Sequence, residues 1–294
     1  MATVPANIPY DDRDGFIWMD GKTVPWREAK VHFLTHALHY GSGVFEGIRA
    51  YNGKPFKLRE HCERLIEGCK IMDMACPYAA DDIAAACLET LRVNNVVNGY
   101  IRPLAWRGAE QMGVAAQQTK THVGVAAWEW GNYFAGDAQD KGIALQTSRW
   151  RRPPPDAAPV HAKACGLYMI CTLSKHAAEK AGFTDALMLD YRGRVAELTG
   201  ANFFMVVNGE LHTPEADCFL NGITRRTVME LARENGLKVV ERAILPEELK
   251  TAQECFATGT AAEITPIGRI DGISYAVGPV TRLLRDAYGK RVRA

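Results

Sequence analysis

The sequence has no long apolar run, no excess of charge of one sign and no closely spaced cysteine pair, and each absence excludes a class of protein. No apolar run approaches the roughly 20 residues that a membrane-spanning helix needs. The formal charge is +1, from 35 basic and 34 acidic side chains, so no broad electrostatic field attracts nucleic acid or an anionic membrane surface. We therefore predict neither nucleic-acid binding nor membrane association.

The first 18 residues mix prolines with acidic side chains and contain no apolar stretch of the kind found in export signals. We expect a cytoplasmic protein. Eight cysteines are present, but without a Cys-x-x-Cys pair the sequence supports neither a structural zinc site nor a dithiol switch. Cys62, Cys69 and Cys87 fall at apolar positions of helical patterns, which predicts buried free thiols and no metal.

The chain is long enough for two domains. A length of 294 residues exceeds what a single hydrophobic core usually serves, and 47% hydrophobic residues predict sizeable cores. The small and polar stretch 131–142 is predicted as an interdomain loop, which leaves domains at 1–130 and 143–294. The proline-rich stretch 151–159 is interpreted as a stiff loop within the second domain.

Local patterns predict hairpins mixed with helices. Asp-Gly pairs at 20–21 and 271–272, each between short apolar runs, are strong hairpin signals. Further turns are predicted at 192–193 and 208–209. Apolar spacing with glycine or proline at the ends predicts helices at 60–72, 81–92, 166–181 and 222–235, a short one at Pro246 and one from Pro279. Extended segments are predicted at 100–106, 122–130 and 143–150. This mixture favours an α+β fold over a doubly wound parallel sheet.

Two ionisable residues stand in settings that suit an aldehyde cofactor. Lys163 lies between small and apolar neighbours, where burial would favour the neutral amine that attacks an aldehyde. Taken alone, this pattern also fits an ordinary surface lysine. Glu197 is a carboxylate in a segment suited to a buried strand, so it needs a cation or a donor. A pyridinium nitrogen and a structural ion pair would serve equally well.

Two loops offer backbone amides to an anion. The stretch 221–226 is a glycine-containing turn that leads directly into a predicted helix, and the unpaired amides of a first helical turn suit a phosphate. Many helices begin in this way without binding anything. The loop 258–263 consists largely of small residues, which let a ligand approach the backbone closely. With Lys163 and Glu197, these loops are what a phosphorylated, aldehyde-bearing cofactor would need.

Longer strings of residues resemble the fold-type IV enzymes that use pyridoxal 5′-phosphate (PLP). The matching string is Glu197, Thr199, Asn202, Phe203, Phe204, Leu211, Thr213, Leu220, Gly222, Ile223 and Arg225. Further matches lie at 36–41, 44–47, 61–65, 100–104, 112–114 and 259–265. The resemblance thus spans essentially the entire chain, and within this group it is to the branched-chain amino-acid aminotransferases.

The resemblance implies a two-domain fold-type IV enzyme, with a small N-terminal α/β sandwich domain and a larger C-terminal pseudo-barrel domain. The implied reaction is transamination of L-leucine, L-isoleucine and L-valine with 2-oxoglutarate, giving branched 2-oxo acids and L-glutamate by a ping-pong mechanism. It also implies a homodimer or a higher assembly of dimers.

The resemblance assigns the cofactor's partners residue by residue. Lys163 would carry PLP as a Schiff base and act as acid and base, while Glu197 would keep the pyridine nitrogen protonated. Tyr168 would lie beside the ring. The phosphate would be bound by Arg64, Ile223, Thr224 and Thr260. From the residues alone, Arg64 could equally pair with Glu60 one helical turn earlier.

Substrate recognition must accommodate both an aliphatic side chain and the carboxylate of glutamate. Tyr100 and Arg102 lie two apart on a predicted strand and should share a face. The resemblance assigns Tyr100 and the Thr260-Ala261 loop to the substrate α-carboxylate, and Arg102 to the distal carboxylate of glutamate. The remaining pocket residues would be Phe45, Trp130 and Tyr133, with Tyr40 and Val114 from the neighbouring subunit.

Several alternatives share the implied fold and cofactor. They are D-amino-acid transaminase, R-selective amine transaminase and aminodeoxychorismate lyase, against which Tyr100-Ile101-Arg102 and Met112-Gly113-Val114 favour the branched-chain type. The segment 128–133 is less similar to the family, which leaves open the acceptance of aromatic or large aliphatic side chains. A catalytically silent PLP-binding protein is the remaining alternative, and it would not need both Lys163 and Glu197.

Overall fold

The computed structural model describes residues 8–131 and 137–294, and the chain divides into two compact units. The first unit extends to Gly131 and also includes Ala164–Gly166, while the second contains the rest of the chain to Ala294. Across the described ranges, every helix is too short or too polar to traverse a bilayer. The cytoplasmic location expected above stays a prediction.

The first unit is built on an antiparallel sheet of seven strands. The strands are β1 (Phe16–Met19), β2 (Lys22–Pro25), β3 (Gly43–Phe45), β4 (Ile48–Tyr51), β5 (Lys54–Pro55), β6 (Gly99–Arg107) and β7 (Thr121–Glu129). Their order is β2-β1-β7-β6-β4-β5, and β3 also pairs with β6. The helices are α1 (His36–Tyr40), α2 (Leu58–Ile71), α3 (Ala80–Val93) and a 3₁₀ turn at Trp26–Glu28.

Helices α2 and α3 pack on each other and on this sheet. On α2, the buried residues include Cys62, Leu65 and Cys69, whose spacing of three and four places them on one face. Ile83 and Cys87 repeat the pattern on α3. Both predicted helices are therefore confirmed, and so is the burial of the three cysteines within them.

All eight cysteines are free thiols, as the sequence predicted. Two pairs of thiols nevertheless lie within hydrogen-bonding distance of each other. One pair is Cys62 with Cys87, which joins α2 to α3. In the other pair, the hydrogen bond from Cys69 lowers the pKa of Cys76, the more exposed of the two.

The second unit contains a mixed sheet of nine strands. The strands are β8 (Ile143–Arg152), β9 (Asp185–Asp190), β10 (Val195–Leu198), β11 (Asn202–Val207), β12 (Glu210–Thr213), β13 (Val239–Glu241), β14 (Glu254–Gly259), β15 (Glu263–Ile270) and β16 (Ile273–Ser274). The order is β10-β9-β8-β15-β14-β11-β12-β13, with β16 beside β15. Because β10 also pairs with β11, the strands β10, β9, β8, β15, β14 and β11 close into a barrel.

The barrel interior is apolar, and helices pack on the sheet around it. Leu145, Leu187, Phe203, Met205 and Ile267 are fully buried within one cluster. The helices are α4 (Ala138–Lys141), α5 (Tyr168–Lys180), α6 (Ile223–Glu234), α7 (Pro279–Arg291) and two 3₁₀ turns at Cys165–Leu167 and Pro246–Thr251. Helix α5 contacts β8 and β9, and α6 and α7 contact β14. The α+β class and the pseudo-barrel are thus confirmed.

The hairpins follow from local turn chemistry. Asp20 and Gly21 have φ values of 46° and 87°, which is the left-handed pair that a two-residue hairpin between β1 and β2 requires. Asn208 and Gly209 repeat this between β11 and β12, at 52° and 78°. The sequence did not predict the turn that separates β10 from β11 at 199–201. The extended segment predicted at 143–150 also stops two residues before β8 ends at Arg152.

Candidate active site

Lys163 follows β8 in the chain and is half-buried. Its Nζ donates a hydrogen bond of 2.8 Å to the Oη of Tyr168, the first residue of α5. The two residues named for the cofactor ring therefore lie in direct contact. A phenol held by a helix start gives the flexible lysine side chain one preferred direction.

Glu197 lies on β10 between a cation and an amide. Its Oε1 is 3.3 Å from Nε of Arg152, and its Oε2 accepts a hydrogen bond of 3.2 Å from Nδ2 of Asn202. Burial raises the pKa of Glu197 above its usual value, although the charges of Arg152 and Lys163 act in the opposite direction. The structural ion pair considered for Glu197 is therefore present, and Lys163 is close enough to influence the same carboxylate.

Arg152 is a site residue that sequence reasoning missed. It is 4% exposed at the end of β8, and it belongs to a run of arginines that suggests a solvated surface. The available signal was the burial predicted for Glu197, because a buried carboxylate calls for a buried cation. The predicted burial implied a cationic partner for Glu197 but did not indicate which arginine this would be.

Asn202 on β11 gathers several parts of the site. Besides Glu197, its Nδ2 donates to the carbonyl of Leu220 at 3.1 Å, and its backbone pairs with Thr258 of β14. A Cβ added to Gly222 would lie 2.1 Å from Oδ1 of Asn202, so only glycine fits there. Glu197, the start of α6 and Thr258 are thereby brought to one end of the barrel.

This end of the barrel offers donors to an anion. Helix α6 begins at Ile223 with Gly222 as its N-cap and no side-chain cap, so its first-turn amides, including that of Thr224, have no intrahelical acceptor. Thr260 and Ala261 form the turn between β14 and β15. The Oγ1 of Thr258 is buried and finds no hydrogen-bond partner within residues 8–131 and 137–294. A bound ligand commonly satisfies such a group.

Arg225, although part of the matching string, is a structural residue. Its side chain is fully buried. It donates to Oδ1 of Asn221 at 2.9 Å, to the carbonyl of Pro214 at 2.8 Å and to Oε2 of Glu241 at 2.8 Å. Arg225 therefore ties α6 to the ends of β12 and β13 and stabilises the position of the helix start.

In the first unit, Tyr100 and Arg102 share a face of β6, as predicted. Nη2 of Arg102 lies 3.4 Å from Oη of Tyr100, and its guanidinium carbon is 4.8 Å from the ring centroid of Phe45. The Nε of Arg102 is buried and has no hydrogen-bond partner within the described chain. Of the described residues that line a largely apolar cavity of about 360 Å³, Arg102 is the one with a charged side chain.

Aromatic rings surround Tyr100. Its ring centroid lies 5.3 Å from Trp128 and 5.4 Å from Trp130, and the two tryptophans are 5.9 Å apart. A Cβ added to Gly47 would come within 1.8 Å of Oη of Tyr100, so this glycine makes room for the hydroxyl. Tyr133, which was predicted to line the same pocket, lies outside the described residues.

Tyr40 and Val114 are exposed, at 46% and 88%, and His36 connects their segments. The His36 ring stacks on Tyr40 at 4.6 Å, and its Nε2 lies 2.9 Å from the carbonyl of Gly113. Sequence reasoning assigned no role to His36. It brings together on the surface the two residues that were expected to serve a neighbouring subunit.

Arg64 lies on α2 and forms a two-point ion pair with Glu46. Its Nε and Nη2 donate to the two carboxylate oxygens at 2.6 Å and 2.9 Å. Glu60 was the ion-pair partner that the sequence suggested for Arg64, and Glu46 was not predicted. Oε1 of Glu60 lies 3.1 Å from Nζ of Lys57.

Comparison with known proteins identifies the family. The model of the amino-transferase class IV family matches residues 43–270, which includes all the groups described above except Tyr40 and His36. The chain belongs to this family. As a class IV aminotransferase it is 45% identical to the branched-chain-amino-acid aminotransferase of Pseudomonas aeruginosa, over 94% of this chain and 92% of the relative.

Solved structures agree with this class IV aminotransferase over almost its full length. The branched-chain amino acid aminotransferase of Escherichia coli is 39% identical, with a TM-score of 0.91 over 95% of this chain and 94% of that one. The branched-chain amino acid aminotransferase of T.th., solved with pyridoxamine 5′-phosphate, is 42% identical, with a TM-score of 0.92 over 96% of each chain. The fold of these aminotransferases is therefore shared over almost the entire chain.

Proposed function

We propose that this class IV aminotransferase transfers the amino group of L-leucine, L-isoleucine or L-valine to 2-oxoglutarate, with PLP as cofactor. The observation that carries the proposal is the group of Lys163, Tyr168 and Glu197. An amine there lies beside a hydroxyl and within electrostatic reach of a largely buried carboxylate. The names of the relatives described above support the branched-chain substrate class.

The donor set of the second unit fits PLP in charge and in hydrogen bonding. Lys163 supplies an amine for the aldehyde, and Glu197 supplies an anion for the ring nitrogen. The first-turn amides of α6 suit the phosphate, and the buried hydroxyl of Thr258 still requires a partner within the described chain. Bound PLP supplies an electron-withdrawing ring that stabilises negative charge at the substrate α-carbon.

Lys163 has two tasks in the proposed reaction. Its amine would hold the cofactor, and once free, Nζ would take up the proton from the substrate α-carbon. The contact with Tyr168 at 2.8 Å orients Nζ while leaving its lone pair available once the amine is neutral. This proton transfer makes Lys163 the catalytic residue.

Glu197 holds a proton on the ring nitrogen. A carboxylate that accepts from this N–H stabilises the positive charge of the ring, which in turn strengthens its pull on electrons. Arg152 and Asn202 keep the carboxylate in place. Loss of Glu197 should therefore reduce turnover more than it reduces substrate binding.

The phosphate of PLP is assigned to donors that the two units supply separately. In the second unit these are the amides of Ile223 and Thr224 and the hydroxyl of Thr260, and in the first unit Arg64. Backbone amides at a helix start and a guanidinium group are donors well matched to a phosphate dianion. These residues are assigned by the resemblance to the branched-chain aminotransferases, and their local geometry suits the assigned roles.

Substrate binding is assigned to the aromatic cluster, to Arg102 and to the Thr260-Ala261 turn. Tyr100, with that turn, would bind the α-carboxylate. Arg102 would pair with the distal carboxylate of glutamate or 2-oxoglutarate. A buried Nε without a partner in the described chain supports this role, because a ligand carboxylate would satisfy it. Phe45 and Trp130 provide apolar surface for a branched side chain, and Tyr133 is proposed with them.

We infer that two copies associate through an exposed apolar surface of the first unit. Its large apolar side chains are Val31, Phe33, Leu34, Leu38, Tyr40, Met112 and Val114. A patch of this kind on one unit is typical of an interface. Light scattering should give the mass of a dimer or of a multiple of it, and Leu38→Glu should reduce that mass. Val97→Glu, at another exposed apolar position, should leave it unchanged, and a monomeric parent protein would contradict the proposal.

The function is tested most broadly by half-reactions with single amino donors. L-Leucine, L-isoleucine and L-valine should convert the absorbance of bound PLP to that of pyridoxamine phosphate, and 2-oxoglutarate should reverse the change. D-Leucine and (R)-1-phenylethylamine serve as controls that should leave the spectrum unchanged. Conversion by only the D-amino acid or the (R)-amine would replace the proposal with the corresponding alternative. Binding of PLP without any conversion would indicate a silent PLP-binding protein.

Arg102→Met should separate the two substrates of the reaction. A hydrogen bond between charged groups contributes about 1.5 to 3 kcal/mol, so KM for 2-oxoglutarate should rise roughly tenfold to a hundredfold. KM for L-leucine should change far less, because its side chain has no carboxylate. Arg27→Met, an exposed ion-pair residue of the same unit, is the matched control. Equal increases in KM for both substrates would contradict a role of Arg102 in recognising the distal carboxylate.

A further inference from the structure

Glu46 follows β3, and its side chain is fully buried. Its backbone amide donates to the carbonyl of Pro103 on β6 at 2.8 Å. Its carboxylate accepts hydrogen bonds from Nε and Nη2 of Arg64, and its Oε2 lies 2.7 Å from Nδ1 of His61. Four polar contacts therefore fix a residue to which sequence reasoning assigned no role.

An ionised carboxylate in this position needs both neighbours. Burial by itself would raise the pKa of Glu46, but the charges and hydrogen bonds of Arg64 and His61 outweigh it and hold the pKa far below the usual range. The two neighbours therefore favour the charged form of Glu46. Because a carboxylate only accepts, Nδ1 of His61 carries the proton in this contact.

The geometry restricts the direction of the Arg64 guanidinium. His61 and Arg64 are three apart on α2, so both side chains leave the same face of the helix. A two-point contact through Nε and Nη2 fixes the plane of the guanidinium and its rotation within that plane. The Nη1 edge lies outside this contact and is held in a single direction.

We propose that Glu46 and His61 are positioning residues that orient Arg64 for the phosphate of PLP. The proposal rests on the proposed function, because it takes PLP as the ligand. Glu46 fixes the arginine, and His61 fixes Glu46 through Oε2. Without Glu46 and His61, Arg64 would keep its charge, but its long side chain would be mobile in the free protein. It would then lose conformational entropy each time it bound the phosphate.

A purely structural role for the three residues makes a different prediction. If they only stabilised the first unit, their loss would weaken every ligand of the protein to a similar extent. A positioning role acts on the phosphate alone. The contrast between PLP and 5′-deoxypyridoxal therefore separates the two roles, since the latter has the aldehyde and the ring nitrogen but no phosphate.

The experiment measures dissociation constants of both ligands for the full chain freed of cofactor, by quenching of its tryptophan fluorescence. The variants are Glu46→Gln, His61→Leu and His61→Asn, in which the asparagine amide can replace the Nδ1 donor. Glu254→Gln is the matched control, because Glu254 is a buried carboxylate that accepts from the first turn of α7. Urea unfolding checks that each variant is folded.

We expect Glu46→Gln and His61→Leu to bind PLP about tenfold or more weakly and 5′-deoxypyridoxal almost unchanged. His61→Asn and Glu254→Gln should bind both ligands as the parent does. Equal weakening of both ligands, or no weakening of PLP, in a folded His61→Leu or Glu46→Gln protein would overturn the proposal. A parent protein that binds neither ligand would instead contradict the proposed function.

Discussion

A carboxylate can stay charged inside a protein only if cations or donors surround it, and Glu197 imposes this requirement on the second unit. With 12% of its side chain exposed, it draws Arg152 from the end of β8 and Asn202 from β11. Asn202 in turn bonds Leu220 and lies against Gly222, at the start of α6. Because these strands belong to the closed barrel, satisfying one carboxylate also aligns the helix start and the turn after β14. The end of the barrel that is proposed to bind the phosphate depends on that alignment.

Glu46 of the first unit and Glu197 of the second unit are carboxylates that differ in a way that bears on function. Glu46 is bonded directly to Arg64 and His61, and its pKa is held low. Glu197 has one cation at 3.3 Å and an amide, and burial prevails, so its pKa is raised. Glu46 thus has the partners it needs within the protein. Glu197 gains from a further positive charge, as a protonated ring nitrogen would provide.

Sequence reasoning succeeded where the cause is local. Asp20-Gly21 specifies a hairpin because both residues tolerate positive φ, and the apolar spacing along α2 requires one buried face. The pairing of β10 with β11, which closes the barrel, depends on a turn without such a signal. Arg152 is distant in sequence from its partner Glu197, and so is Glu46 from its partner Arg64. Burial of a charged group indicates that a partner exists but does not identify it. His36 was missed for the same reason, since its contact with Gly113 is visible only in the fold.

Lys163 is proposed to bind the cofactor covalently, and the proposed reaction depends on this bond. Sodium borohydride reduces the bond between an amine and the PLP aldehyde to a stable one, and peptide mapping by mass spectrometry then locates the phosphopyridoxyl group. We expect a single modified peptide, with the group on Lys163, and none in protein first converted by L-leucine to the pyridoxamine form. Modification of a different lysine, or of no lysine in PLP-loaded protein, would contradict the assignment.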